Sequence, residues 1–235
     1  MVKTIFIDAD DTLWHNENFF RENEKIFFEL LAPYGSKEEI FRKLFKTEID
    51  NLPAYGYGIK SFVLSMLETY TSLTNSDDPK YYEIISRILE LGKEHINKPV
   101  VLLEGVEEVL KQISGQYRLV IFTKGDILDQ ERKLSLSGLT SYFERMEVVS
   151  SKQIGDYEKL LKKYDLKPQE VIMIGNSPKS DILPILQLGG SGIFIPYLTI
   201  WEHEKVEEDI VSDRYITISS FREVPQAIEQ LAQYE

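Results

Sequence analysis

Residues 2–13 read V-K-T-I-F-I-D-A-D-D-T-L. The run 2–7 is short for a helix and rich in β-branched and aromatic residues, so it predicts a buried strand. The strand ends on Asp8, with Asp10 two positions further on. Because extended chain repeats every two residues, both carboxylates start from one side of the strand end. Two carboxylates about 4 Å apart repel by roughly 4 kcal/mol at an effective dielectric near 20. Such a pair takes up a proton or recruits a cation.

Three more short apolar runs, at 119–122, 148–149 and 171–174, read as buried strands, and helical patterns follow them. The first helix spans 127–137 and closes at Gly138, the second spans 157–164 ahead of Pro168, and the third spans 181–188 and stops at Gly189–Gly190. Segments 193–195 and 215–218 read as further strands and 221–233 as a closing helix. Strand alternating with helix predicts an α/β fold, a parallel sheet core with helices on both faces.

Between the first strand and Val100 the periodicity becomes helical, with apolar residues at Phe19, Phe20, Phe27, Leu30, Leu31, Ile40, Phe41, Leu44 and Phe45. Ser36 with Glu39 forms a capping-box pattern, and Asp78 before Pro79 forms a helix-start pattern. The expected organisation is a core domain of 1–14 and 96–235 with a helical-bundle domain, 15–95, inserted into it. The segment 53–58, with Gly56, Gly58, Tyr55 and Tyr57, reads equally well as a plain helix connector or as a mobile loop facing a site.

The chain has 235 residues, 43% hydrophobic and 28% charged, enough for one sizeable core or a core plus an insert. A net charge of −12 argues against nucleic acid and against an anionic membrane surface as partners. The absence of cysteine, with no apolar leader or membrane-length stretch in the sequence, gives the cytoplasm as the expected address.

In an open parallel sheet, ligands bind beyond the carboxyl ends of the strands. The residues at those ends are Asp8 and Asp10, then Thr123, then Ser150, Ser151 and Lys152, then Gly175 and Asn176 with Asp181 beyond. An oxygen-only set favours Mg²⁺, and His15, His95 and His203 have no zinc spacing. Each residue alone has a bland reading as a turn, cap or surface residue. Only their joint placement points to chemistry.

The stretch I-D-A-D-D-T-L at 7–13, Thr123 in I-F-T-K-G-D, Lys152 in V-V-S-S-K, and Gly175–Asn176 to Asp181 in I-G-N-S-P-K-S-D resemble, in order, the four motifs of the haloacid dehalogenase-like (HAD) hydrolase superfamily. That resemblance implies a Rossmann-like core with a helical cap and a Mg²⁺-dependent phosphatase acting on a small phosphorylated metabolite. It implies Asp8 as nucleophile and Asp10 as acid and base. Thr123, Lys124 and Gly125 would hold phosphoryl oxygens, with Lys152 neutralising Asp8 and phosphate. The metal set it implies is Asp8, the Asp10 backbone carbonyl and Asn176, with Asp181 either binding directly or orienting a metal-bound water.

The chain departs from the superfamily at Asn176, where an acid is usual, and at Asp11, where glycine is frequent; Asp11 is read as a turn residue. The acidic run 202–209 is read as a solvated face and Trp201 as a packing residue. A dehalogenase, a phosphomutase and a non-catalytic phosphate binder are the rival readings. A halide leaves without a proton, so Asp10 argues against the first.

Overall fold

The computed structural model describes residues 2–198, 201, 204 and 210–232. In chain order it forms β1 (Thr4–Ile7), α1 (Glu17–Leu31), α2 (Lys37–Tyr55), α3 (Ile59–Thr71), α4 (Tyr81–Ile96), α5 (Val106–Ile113) and β2 (Arg118–Lys124). These are followed by α6 (Ile127–Ser137), β3 (Arg145–Val149), α7 (Ile154–Lys163), β4 (Val171–Gly175), α8 (Leu183–Leu188), β5 (Ser191–Phe194), β6 (Tyr215–Thr217) and α9 (Val224–Leu231). The chain divides into an α/β unit, 2–17 with 100–124 and 131–232, and a helical unit, 18–99 with 125–130. The stretch 125–130 thus belongs with the helices, although it directly follows a core strand.

In the α/β unit the sheet order is β3-β2-β1-β4-β5-β6, and every described pair is parallel. The strands alternate between two apolar layers. Ile5, Ile7, Leu119, Ile121, Ile172 and Ile174 pack with α5 and α9, while Phe6, Val120, Phe122, Val171 and Met173 pack with Tyr157, Leu160 and Leu161 of α7. Burial on both faces explains why these strands read as continuous apolar runs. The order reverses between β1 and β4, which is where such sheets bind ligands.

The helical unit surrounds its own core of Phe27, Leu31, Ile40, Leu44, Phe62, Met66, Tyr70 and Ile88. The capping box is present, with Ser36 Oγ accepting from the Glu39 amide at 3.3 Å and the Glu39 carboxylate accepting from the Ser36 amide at 3.0 Å. Phe41 does not join that core; it is exposed and stacks on Phe45.

Several boundaries shift. Asp78 accepts from the Lys80 amide at 2.7 Å in a turn, and α4 begins only at Tyr81. The expected helix 181–188 opens with a π-helical turn, Pro178–Ile182, before α8. α5 fills a place where the pattern above puts no helix. Gly189 closes α8 at φ 92°. No described helix is long and apolar enough to cross a membrane. Of the acidic run 202–209 only Glu204 lies within the described residues; His203 and Gln233 lie outside them.

Candidate active site

β1 and β4 lie side by side, and the Asp8 amide donates to the Ile174 carbonyl at 2.9 Å. That bond brings the two strand ends, and the motifs they carry, together at the point where the strand order reverses. Thr12 links the two motifs, its hydroxyl lying 3.3 Å from Asp8 Oδ2 and 3.4 Å from Asn176 Oδ1.

Lys152 precedes α7 and its side chain is only 1% exposed. Its Nζ lies 2.5 Å from Asp8 Oδ1 and 2.7 Å from Asp181 Oδ1. One cation therefore serves two buried carboxylates. Burial pushes the Asp8 carboxyl up to about 7; the Lys152 charge opposes this and the Asp181 charge adds to it. Burial disfavours the Lys152 ammonium, but Asp181 and Asp8 together hold it charged and raise its pKa. With Asp8 ionised, the trio carries one negative charge more than it balances, and an additional cation would hold Asp8 in that form.

Asp181 is fixed from all sides. Its Oδ2 accepts from the Ser177 amide at 2.9 Å, and its backbone carbonyl accepts from the Tyr157 hydroxyl at 3.1 Å. Asp181 thus serves Lys152 and Ser177, while Asp8 Oδ2 and Asn176 Oδ1 lie 3.3 and 3.4 Å from the Thr12 hydroxyl. Among the described residues no group of three or more acids or histidines is placed to hold a metal ion by itself. A carboxylate and an amide oxygen on adjoining strand ends, both near Thr12, suit Mg²⁺, which takes few protein ligands and keeps waters.

Asp10 occupies a separate network. Its Oδ1 accepts from Trp14 Nε1 at 2.7 Å, and Lys133 Nζ lies 3.0 and 3.2 Å from its two oxygens. Asp11 stands in the left-handed region at φ 61°, and its carboxylate accepts from the Asn16 and Glu17 amides at the start of α1. Burial, reinforced by the Asp10 charge, raises its pKa to about 8 against those amide bonds. It is therefore a turn and capping residue.

Thr123 is buried at the end of β2, and its hydroxyl donates to the Lys124 carbonyl at 3.2 Å. Gly125 follows at φ 141°, a conformation that suits glycine. Lys124 Nζ lies 2.5 Å from Glu204 Oε1 and 2.9 Å from Ser180 Oγ. Glu204 also accepts from Ser177 Oγ at 2.5 Å and Ser180 Oγ at 2.6 Å. Burial works against its charge, yet Lys124 and the two serines hold its carboxyl down at about 2. A solvated face is thus the wrong reading at Glu204, which is bound to the β4 loop. Trp201 is half-buried.

Thr12, which lies in the first motif without an expected role, and Trp14, Lys133 and Glu204 contact the expected site residues Asp8, Asp10 and Lys124. A buried polar face at Asp129, Gln130 and Lys133 of α6, with three- and four-residue spacing, is the one local signal for Lys133.

A doubly wound sheet with a buried aspartate, lysine and amide at its switch point defines the class as a Rossmann-like α/β protein with a ligand site there. The profile of the haloacid dehalogenase-like hydrolase family matches residues 2–189, and the chain belongs to that family. It is 26% identical over 248 residues to a glyceraldehyde 3-phosphate phosphatase of Methanocaldococcus jannaschii, covering 98% of this chain and 99% of that one. A protein of the same name from Methanothermobacter thermautotrophicus is 23% identical over 238 residues, covering 89% and 92%. A haloacid dehalogenase-like family hydrolase from Xanthomonas campestris superposes with a TM-score of 0.86 at 35% identity, covering 99% of this chain and 93% of that one. A 2-haloacid dehalogenase from Pseudomonas syringae shares the fold, with a TM-score of 0.64 at 18% identity over the full length of both.

Proposed function

We propose that this chain is a phosphomonoester hydrolase working through an aspartyl-phosphate on Asp8. The observation that carries the reading is that Asp8 and Asp10 sit two residues apart on different partners, Asp8 on Lys152 and Asp10 on Trp14 and Lys133. Two carboxylates in separate environments suit two roles.

An Asp8 oxygen attacks phosphorus, the P–O ester bond breaks, and the departing alkoxide takes a proton from Asp10. Water then attacks phosphorus and gives a proton to Asp10, which frees inorganic phosphate and the Asp8 carboxylate. Thr123, with the amides of Lys124 and Gly125, holds phosphoryl oxygens. Lys152 balances Asp8 and phosphate, and Asp181 keeps Lys152 aimed. Asp8, Asn176 and the Asp10 backbone carbonyl, with Asp181 beside them, would hold Mg²⁺, and the ion would supply charge neutralisation at the phosphoryl group. Lys124 stays a phosphate contact in this scheme, with its ammonium oriented by Glu204.

The halide chemistry of the dehalogenases that share the fold gives Asp10 no proton to donate, which favours an oxygen leaving group. The substrate is a small phosphorylated metabolite, and glyceraldehyde 3-phosphate is the first to test because the relatives that align over nearly the whole chain carry that name. Choice among such esters is assigned to the helical unit as a cap. The overall acidity and the absence of a described membrane helix fit a cytoplasmic enzyme.

The test is phosphate release from glyceraldehyde 3-phosphate, a panel of sugar phosphates and p-nitrophenyl phosphate, with Mg²⁺ and with chelator. Asp8→Asn should abolish release while keeping the wild-type fold. Release from no ester in the presence of Mg²⁺, or release by pure Asp8→Asn, would overturn the proposal.

A further inference from the structure

Lys133 lies on the face of α6 that also buries Asp129 and Gln130, and its side chain is 9% exposed. Lysines are seldom buried this far unless paired, because stripping water from an ammonium is costly. Its Nζ meets Asp10 Oδ1 at 3.0 Å, Asp10 Oδ2 at 3.2 Å and Asn16 Oδ1 at 2.7 Å. These partners lie 123 and 117 residues away in sequence. The buried Trp14 indole adds its own bond to Asp10 Oδ1 at 2.7 Å. The Asp10 carboxylate is thus held by a cation reaching both oxygens and by a rigid ring that donates to one of them.

We propose that Lys133 is a positioning residue for the acid–base carboxylate of Asp10. The inference rests on the phosphatase reading above and extends it. A general acid works only within hydrogen-bond reach of the atom it protonates, and a carboxylate on two freely turning side-chain bonds spends little time there. Lys133 and Trp14 fix both bonds before substrate arrives. Asn16 completes the arrangement by accepting from the same ammonium, and its own backbone amide donates to Asp11 at 2.8 Å. Asp10 is thereby aimed by α6, an element far from it in sequence.

A merely structural lysine, tying α6 to the β1 loop, would cost stability and lower turnover of all esters by one factor. A positioning lysine has a different signature, because proton donation matters most when the departing oxygen is basic. The readout is kcat/KM, which covers the steps through formation of the aspartyl-phosphate, for phenyl phosphate and p-nitrophenyl phosphate. It is measured with Mg²⁺ for wild type, Lys133→Met, Lys133→Arg and Asp10→Asn. Lys133→Met should raise the preference for p-nitrophenyl phosphate over phenyl phosphate by about tenfold, in the same direction as Asp10→Asn and less far. Lys133→Arg, which keeps donors within reach of both carboxylate oxygens, should restore at least half of that change on a logarithmic scale. An unchanged preference in Lys133→Met, with wild type active on both esters, would overturn the role of Lys133 and leave the phosphatase reading standing. A wild-type protein inactive on both esters and on the metabolite panel would overturn both. If Lys133→Met proves too unstable to assay, Asn16→Ala, which loosens the ammonium while leaving it in place, should move the preference the same way. No movement in Asn16→Ala would then count against the proposal.

Discussion

Gly175 and Asp181 are in contact so close that no side chain fits between them. A Cβ at 175 would stand 2.2 Å from Asp181 Oδ2 and 2.4 Å from its Cγ. The glycine at the end of β4 is therefore required by the carboxylate, which in turn fixes Lys152. Gly175→Ala must swing Asp181 away, releasing the Ser177 amide and leaving Lys152 with Asp8 alone. We expect a loss of about 1–3 kcal/mol in stability from the overpacking, and a fall in kcat of at least about tenfold from the misplaced lysine. Thermal melting and turnover of p-nitrophenyl phosphate check this; a variant that matches wild type in both would show that the loop gives way without effect.

At Asn176 the amide oxygen reaches the Thr12 hydroxyl beside Asp8, and the proposed Mg²⁺ would find a neutral ligand there rather than a second carboxylate. Asn176→Asp adds a charge where Asp8, Asp181 and Lys152 already leave one negative charge unbalanced. Without metal the variant should melt lower than wild type, because like charges repel in a buried site. With Mg²⁺ the order should reverse, and half-maximal activity should need several-fold less metal. Equal Mg²⁺ dependence in the two proteins would remove residue 176 from the metal site.

Burial was legible in the sequence wherever one local pattern decided it. The strands 119–122 and 171–174 read correctly because both faces are covered, and their ends placed Thr123, Gly175 and Asn176 by topology alone. The capping box at Ser36 and Glu39 read correctly because both partners lie within one turn. Helix α5 carried a clear stripe at Val106, Val109, Leu110 and Ile113 that was there to be read. The bonds of Asp10 to Lys133 and of Glu204 to Ser177 and Ser180 were not legible, since no periodicity links residues so distant. In Glu204 the surrounding acidic run even pointed the other way.

Glu204 gives a pH signature. Its carboxyl falls from 4.5 to about 2 in the folded chain, so its contribution is full above pH 4.5 and is lost as pH falls toward 2. At about 1.36 kcal/mol per pH unit that contribution is roughly 3 kcal/mol near neutrality and about 1 kcal/mol at pH 3. Glu204→Gln should therefore melt well below wild type at pH 6, with the gap narrowing by more than half at pH 3. A gap independent of pH would mean that the carboxylate charge is not what binds Lys124 and the serines.

In the proposed phosphatase, the connection between α2 and α3 is the candidate for substrate choice. Pro53 lies in the last turn of α2, Gly56 caps that helix at φ 70°, and Gly58 begins α3 at φ 107°. The connector is thus only three residues long, too short for a freely moving flap. It is anchored as well, since a Cβ on Gly58 would lie 3.4 Å from the Asp126 amide and Lys60 Nζ meets the two Asp126 oxygens at 2.9 and 3.0 Å. Asp126 follows Thr123 by three residues along the chain. Tyr55 is exposed on the turn, and Tyr57 is half-buried between the two glycines. A tyrosine presents a ring and a hydroxyl at little entropic cost, which suits contact with the variable part of a phosphorylated metabolite. Tyr57→Ala should therefore change kcat/KM by different factors for glyceraldehyde 3-phosphate and for larger sugar phosphates, spread over about tenfold, while Mg²⁺ dependence stays as in wild type. Lys60→Ala, which frees Asp126 without touching either ring, should instead lower all substrates together. If Tyr57→Ala also moves every substrate by one factor, the turn is a scaffold for the 125–130 segment and the selecting residues lie on other helices of that unit.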